Sequence, residues 1–216
     1  MHPWDLRPEE AMALQTKLAC QVIRKSRLRP EGMMTVAGVD TGYRNGIAHA
    51  AVVVISLKDL KTLEKAVAAG AVTYPYVPGL FSFREGPVIL EALEKLEKPP
   101  DLLMIEGQGI AHPRRCGIAS HIGMLLDIPT IGCAKTRLIG DYREPQRTRG
   151  STSFLKDGEE TIGAVVRTRT GVKPLFVSIG HLMDLNDCVR LVLQSCRGYR
   201  LPEPLRRADH LSRRKK

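Results

Sequence analysis

The stretch that most constrains the fold of this chain runs from Pro100 to Gly140. A short apolar run, Leu102 to Ile105, has the length and flanks of a buried strand and ends on a carboxylate, Glu106. A glycine-rich turn, Gly107-Gln108-Gly109, leads to the polar cluster His112, Pro113, Arg114 and Arg115. A helical pattern follows, with Ile118, Ile122 and Leu125 or Leu126 on one face. A second apolar strand, Ile128 to Ile131, then runs into Gly132-Cys133-Ala134-Lys135. An acid at a strand end, beside a basic cluster and a later lysine, marks an active site on an open α/β sheet. Ligands there sit outside the carboxyl ends of strands.

The preceding residues supply the neighbours of that unit. Residues 8 to 26 read as a helix, with Pro8 in its first turn and Ala11, Leu14, Leu18 and Val22 on one face. Arg27-Leu28-Arg29-Pro30 breaks it. Met34 to Asp40 reads as a buried strand ending on Asp40, although Asp before Thr-Gly is also a common turn opening. Gly42 and Asn45-Gly46 mark a hairpin turn, Ile47 to Leu57 returns as a second strand, and Val67 to Tyr74 makes a third.

Between 74 and 83 lie Tyr74, Tyr76, Phe81 and Phe83, with Pro75 and Pro78 keeping the backbone extended. A stiff loop presenting aromatics beside basic residues suits base stacking or strand separation; packing of Phe81 and Phe83 onto the core is the other reading. Ser82 can cap a helix running to Leu96. Glu85 then completes an S-x-x-E capping box, a purely structural explanation for that acid.

Downstream, Ser151 to Leu155, Thr161 to Thr168 and Pro174 to Ile179 read as strands. A helix from Asp184 to Cys196 follows, and a last helix starts at Pro202 and carries Asp209. No repeat, heptad array or low-complexity linker divides the 216 residues. A single domain over 1–216 is expected, with a basic tail at about 211–216.

The formal net charge of +10 points to an anionic macromolecule, nucleic acid first and an acidic membrane surface second; a merely soluble basic protein has the same balance. Arg24, Lys25, Arg27, Arg29 and the run from Arg213 to Lys216 carry much of the excess. Five cysteines without a C-x-x-C pair favour free thiols over a disulfide framework or a zinc site. No signal-peptide core is present, and the longest apolar run, Ala50 to Ile55, is far below a membrane span. The expected setting is the cytoplasm, with no membrane association.

Asp40, Glu85 and Glu106 come from a first strand, a helix start and a fourth strand. If the fourth strand lies beside the first, the three carboxylates converge. Such a cluster calls for a neutralising cation, and oxygen-only ligands suit Mg²⁺ or Mn²⁺ rather than zinc. Two such ions about 3.5–4 Å apart can activate water and stabilise the leaving oxygen in phosphodiester cleavage. With Lys135 nearby and a basic chain, these features describe a nuclease.

Five ordered motifs extend that reading. V-A-G-V-D at 36–40, P-Y-V-P-G-L-F-S-F-R-E at 75–85, E-G-Q-G-I-A-H-P-R-R-C-G-I-A-S-H-I-G at 106–123, I-P-T-I-G-C-A-K-T-R-L at 128–138 and G-H-L-M-D at 180–184 resemble endonuclease V, over about residues 8 to 212. The resemblance implies a ribonuclease H-like fold, a mixed five-stranded α/β sheet flanked by helices. It implies a metal-dependent endonuclease acting on deoxyinosine in DNA, and in some members on inosine in RNA. The cut falls at the second phosphodiester bond 3′ to the lesion, leaving 3′-hydroxyl and 5′-phosphate ends.

Carried over by position, Asp40, Glu85 and Glu106 match metal carboxylates, and Asp209 a residue assisting a second metal. Lys135 and His112 match basic residues near the cleaved phosphate. Tyr76 matches the wedge that holds the damaged base out of the duplex. Gly79, Gly107, Gly109, Gly132 and Leu138 fall where the family builds its base pocket. One position departs: the family has aspartate where this chain has Glu106, and the extra methylene shifts the carboxylate by roughly 1.5 Å. The alternative it raises is an inosine-binding protein of the same fold with weakened catalysis. No spare amphipathic helix is evident, so a monomer is expected.

Overall fold

The computed structural model describes residues 2–27 and 32–214. In chain order the elements are α1 (Pro8–Ala19), β1 (Thr35–Arg44), β2 (Ile47–Ser56), β3 (Thr62–Ala71), α2 (Phe81–Glu94), β4 (Leu102–Glu106), α3 (Ile118–Leu126), β5 (Thr130–Ala134), β6 (Thr152–Asp157), β7 (Glu160–Val166), β8 (Leu175–His181), α4 (Leu185–Gln194) and α5 (Glu203–Ser212). The strands form one mixed sheet in the order β3-β2-β1-β4-β5-β8-β7-β6. The β1–β4 and β4–β5 pairs are parallel, as the helical crossovers between them require. The sheet therefore has eight strands rather than five. β8 hydrogen-bonds antiparallel along the free edge of β5 and brings β7 and β6 into the same layer.

Alternation along the strands divides the core into two faces. In β4, Leu102 and Met104 point to the cluster shared with Cys188, Leu191, Leu205 and Ala208 of α4 and α5. Leu103 and Ile105 point the other way, to Val88, Ile89, Ile118 and Ile122 of α2 and α3. Helices therefore cover both faces of the central strands, which is why β4 reads as a continuous apolar run. Among the described residues, no helix is long and apolar enough to cross a membrane.

Several boundaries differ from the sequence reading. α1 ends at Ala19 rather than 26, because the following backbone pairs with the β8–α4 turn: Leu182 N–H donates to Ile23 O at 2.8 Å and Arg27 N–H to Leu182 O at 3.1 Å. The break at 27–30 falls largely outside the described residues, as do Arg29, Lys215 and Lys216. β1 does not end on Asp40 but continues to Arg44, with Gly42 inside the strand. The hairpin turn is Asn45-Gly46 alone, with φ of 51° and 75°, the mirror-image turn that matches strand twist. β3 lies earlier than expected and β5 begins at Thr130. Leu211 and Ser212 belong to α5 rather than to a tail.

The packing of α5 on β1 has the most consequence for the site. A Cβ on Gly38 would stand 2.1 Å from the Pro204 carbonyl carbon, and one on Gly42 would stand 2.9 Å from Ser212 O. Four strand residues span about 13 Å and eight helical residues about 12 Å. The helix thus lies along the strand, its backbone seated where side chains would otherwise be. Gly38→Ala is expected to lose about 2–3 kcal/mol in urea unfolding, since backbone and not a flexible side chain must give way. Gly70→Ala, in β3 with nothing within 4 Å of the new methyl, is the control and should unfold like the parent.

Candidate active site

β1 and β4 run side by side in parallel register up to Val39 and Ile105. The next residue on each is acidic, so Asp40 and Glu106 leave the same end of adjacent strands. Asp40 is 4% exposed, and its Oδ2 accepts a 2.7 Å hydrogen bond from Ser212 Oγ of α5. Lys135, one residue beyond β5, places its Nζ 2.8 Å from Asp209 Oδ1 and 3.5 Å from Glu106 Oε2. Glu85 projects from the second turn of α2, is 2% exposed, and accepts a hydrogen bond from the Tyr43 hydroxyl at the end of β1. Asp40, Glu106 and Asp209, from β1, β4 and α5, therefore surround one lysine, and Glu85 of α2 adjoins Asp40 and Glu106.

Their electrostatics follow from burial. Desolvation raises the Asp40 carboxyl well above the ordinary range against the pull of Ser212, and the charges of Glu106 and Asp209 add to it. Burial pushes Glu85 up to about 8, with Asp40 and Glu106 contributing in the same direction. Burial alone would lower Lys135, but the hydrogen bond it donates to Asp209 and the charges of Glu106, Asp209 and Asp40 outweigh it, so the ammonium is held. The cluster carries more negative charge than one lysine neutralises.

Among the described residues, no three acidic, histidine or cysteine side chains converge tightly enough to hold a metal ion as they stand. Lys135, Tyr43 and Ser212 instead occupy carboxylate oxygens of Asp209, Glu85 and Asp40. The donor set itself suits a hard divalent cation: oxygen only, with two buried acids whose ionisation a nearby positive charge would favour. Neither a thiolate nor an imidazole takes part.

A cavity of about 260 Å³ opens directly beside this cluster. Glu106 and Lys135 belong to both, so the carboxylates and the cavity share a wall. Gly79, Gly107, His112 and Leu138 also line it, with Tyr76 and Phe81 at its rim. Tyr76 is 71% exposed, whereas Phe83 and Tyr74 are buried and stack on each other at 5.7 Å. The aromatic cluster thus divides, with Tyr76 and Phe81 exposed and Tyr74 and Phe83 packed inside.

Three sequence-based expectations are corrected here. Gly109 and Gly132 do not line the cavity. A Cβ on Gly109 would meet Ile179 O at 1.9 Å and one on Gly132 would meet Gly109 N at 2.4 Å, so both let the 107–109 turn pack against β8 and β5. His112 is not a fixed cation: burial lowers it to about 4, and its Nε2 faces Gly79 O at 2.9 Å. Ser82 does not cap α2, which starts from Leu80; its Oγ meets His121 Nδ1 at 3.0 Å instead, and Glu85 makes no capping box. Sequence reasoning missed Tyr43 and Ser212. Ser212 had a signal, since it follows Asp209 by one helical turn and shares its face.

The comparisons with known proteins bear on the chain as a whole. The family model described as Endonuclease V matches residues 16–210. An Endonuclease V of Methanothrix thermoacetophila is 51% identical over 212 residues, covering 98% of this chain and 93% of that protein. The crystal structure of the Endonuclease V of Streptomyces avermitilis superposes with a TM-score of 0.92 at 44% identity, covering 97% of this chain and 93% of that one. That of Ciona intestinalis, in complex with a 24mer DNA containing an inosine followed by a ribo-adenosine, has a TM-score of 0.85 at 29% identity and covers 95% of each chain.

Two of the three buried histidines, His112 and His121, carry the largest downward shifts and set a pH dependence. Burial lowers His121 to about 3 and His112 to about 4, below the ordinary value of 6.5. Between those values the unfolded chain binds protons that the folded chain does not, so stability rises with pH across that window and is lost as pH falls through it. His112→Gln should flatten the fall in unfolding free energy between pH 6.5 and pH 4 by on the order of 2–3 kcal/mol, measured by urea titration at each pH.

Proposed function

The chain belongs to the endonuclease V family, whose members are metal-dependent nucleases acting on DNA, and from that premise we propose that it is a repair endonuclease for deoxyinosine. It hydrolyses the second phosphodiester bond 3′ to the lesion. The observation that carries this reading is the wall shared by the cavity and the acidic cluster, through Glu106 and Lys135. A base held in the cavity would bring its own strand across the carboxylates.

In this reading Asp40, Glu85, Glu106 and Asp209 hold the divalent cation, Mg²⁺ with Mn²⁺ able to substitute. When bound, the ion supplies a Lewis acid that acidifies water and neutralises charge at the leaving oxygen. Lys135 keeps a positive charge beside the scissile phosphate. Ser212 and Tyr43 hold the oxygens of Asp40 and Glu85 in fixed directions. Tyr76 enters the stack as the base leaves it, a step that costs least where pairing is already weak. Backbone groups at Gly79, Gly107 and Leu138 read the hypoxanthine edge, and His112 supports them as a neutral donor.

The substrate is inosine-containing DNA, with inosine in RNA as a further candidate, and the setting is the cytoplasm. The protein works as a monomer, and residues 1–216 form one domain. The reading as an inosine-binding protein with weakened catalysis draws no support from the relatives, which are endonucleases by name.

An end-labelled duplex carrying one deoxyinosine tests the proposal. Cleavage is expected only in the inosine strand, at the second bond 3′ to the lesion, with Mg²⁺ or Mn²⁺ present and none after chelation. Equal cutting of an inosine-free duplex would overturn it, and a matched RNA oligonucleotide compares the two substrates. Glu106→Ala should reduce the single-turnover rate by on the order of 100-fold. Glu106→Asp should retain metal-dependent cleavage, because one carboxylate replaces another at the same strand end. Indifference to both changes removes Glu106 from the metal site.

A further inference from the structure

Three side chains converge on one backbone oxygen at the base of the aromatic loop. Gly79 O accepts hydrogen bonds from Gln15 Nε2 at 3.0 Å, His112 Nε2 at 2.9 Å and Arg114 Nη2 at 2.9 Å. The donors also hold one another. Arg114 Nε donates to Gln15 Oε1 at 2.7 Å, and Gln15 Nε2 donates its other hydrogen to Cys116 O at 3.0 Å. Gln15 is fully buried on α1, and these bonds satisfy both its amide oxygen and its amide nitrogen.

The histidine tautomer follows from the same contacts. The Arg114 backbone N–H can only donate, and it does so to His112 Nδ1 at 3.2 Å. Nε2 therefore carries the ring hydrogen and donates it to Gly79 O. Gly79 itself has φ of 80°, and a Cβ there would stand 2.7 Å from Arg114 Nη2, so the donors occupy side-chain space. The turn closes with Leu80 N–H donating to Val77 O at 2.9 Å. Three residues before Gly79, in the same extended segment, Tyr76 stands 71% exposed.

We propose that Gln15, with Arg114 and His112, clamps the 76–79 loop at Gly79 O and so holds Tyr76 ready to take the place of the extruded base. Gln15 also lines the cavity, but in this role it is a positioning residue acting through Tyr76. The physical basis is preorganisation, since a loop ordered before binding does not have to be ordered by it. The inference rests on the wedge role of Tyr76 given above.

The experiment is a double-mutant cycle on the full-length protein, with Ca²⁺ in place of Mg²⁺. Affinity is measured for an inosine duplex carrying 2-aminopurine beside the lesion, whose fluorescence reports unstacking. Gln15→Met should weaken binding by about tenfold and reduce the fluorescence rise. In a Tyr76→Ala background, the same substitution should cost less than about twofold, because the residue it positions is gone. Arg114→Lys should reproduce this pattern and serves if Gln15→Met fails to fold, as judged by its thermal melt. An equal loss in both backgrounds, or no loss beside an intact Tyr76, would overturn the clamp alone. Parent-like binding by Tyr76→Ala would instead remove the wedge reading, and the clamp with it.

Discussion

The site depends on a helix lying directly on a strand. α5 can reach Asp40 only because Gly38 and Gly42 leave β1 without side chains on the face it covers, letting the backbone at Pro204 and Ser212 settle where a Cβ would clash. The near-equal lengths of the two segments keep the helix in step with the strand from end to end. Ser212 thereby meets Asp40, and Asp209, one turn earlier, meets Lys135. Residues separated by more than 160 positions in the chain, such as Asp40 and Asp209, become neighbours through two missing methyl groups. A larger residue at 38 would first move α5, and with it Asp209 and the Ser212 hydroxyl.

That arrangement concentrates charge in a buried place, and Lys135 is its internal counter-ion. One ammonium between Asp209 and Glu106 cannot balance four acids, which is why burial holds Asp40 and Glu85 toward their neutral forms. Tyr43 and Ser212 matter there because they donate to Glu85 and Asp40 and keep those carboxyl groups from turning away.

The existence of the strands was legible from the sequence, through short turns such as the Asn45-Gly46 hairpin and through apolar runs such as Leu102 to Ile105. The pairing of β1 with β4 was only a condition there, since no local feature fixes which strands are neighbours; it is this pairing that sets Asp40 beside Glu106. What stayed hidden depends on partners far away in the chain. Gln15 drew no notice within the α1 pattern, because its acceptors lie 64 and 101 residues away. Ser82 and Glu85 satisfied a capping pattern that tertiary contacts overrode, with Ser82 taken by His121 and Glu85 by Tyr43. His112 looked like a surface cation because its burial comes from packing and not from its neighbours in sequence. The edge of β5 was open to extension, and nothing local to residues 175–181 says that they would take it.

The division between strands and loop is itself a physical solution. The carboxylates proposed to share a metal must be held closely, and strand ends joined by parallel hydrogen bonds do that better than loops. The proposed wedge must stand clear of the surface, which no residue in the middle of a sheet can do, and Tyr76 lies on a loop stiffened by Pro75 and Pro78. Stiffness of the backbone alone leaves the loop free to pivot about its ends. Tying Gly79 O to three donors removes that pivot at the point where the loop passes into α2, beside the cavity wall. The loop then shares the rigidity of the sheet without being part of it, and the distance from wedge to carboxylates becomes a property of the fold.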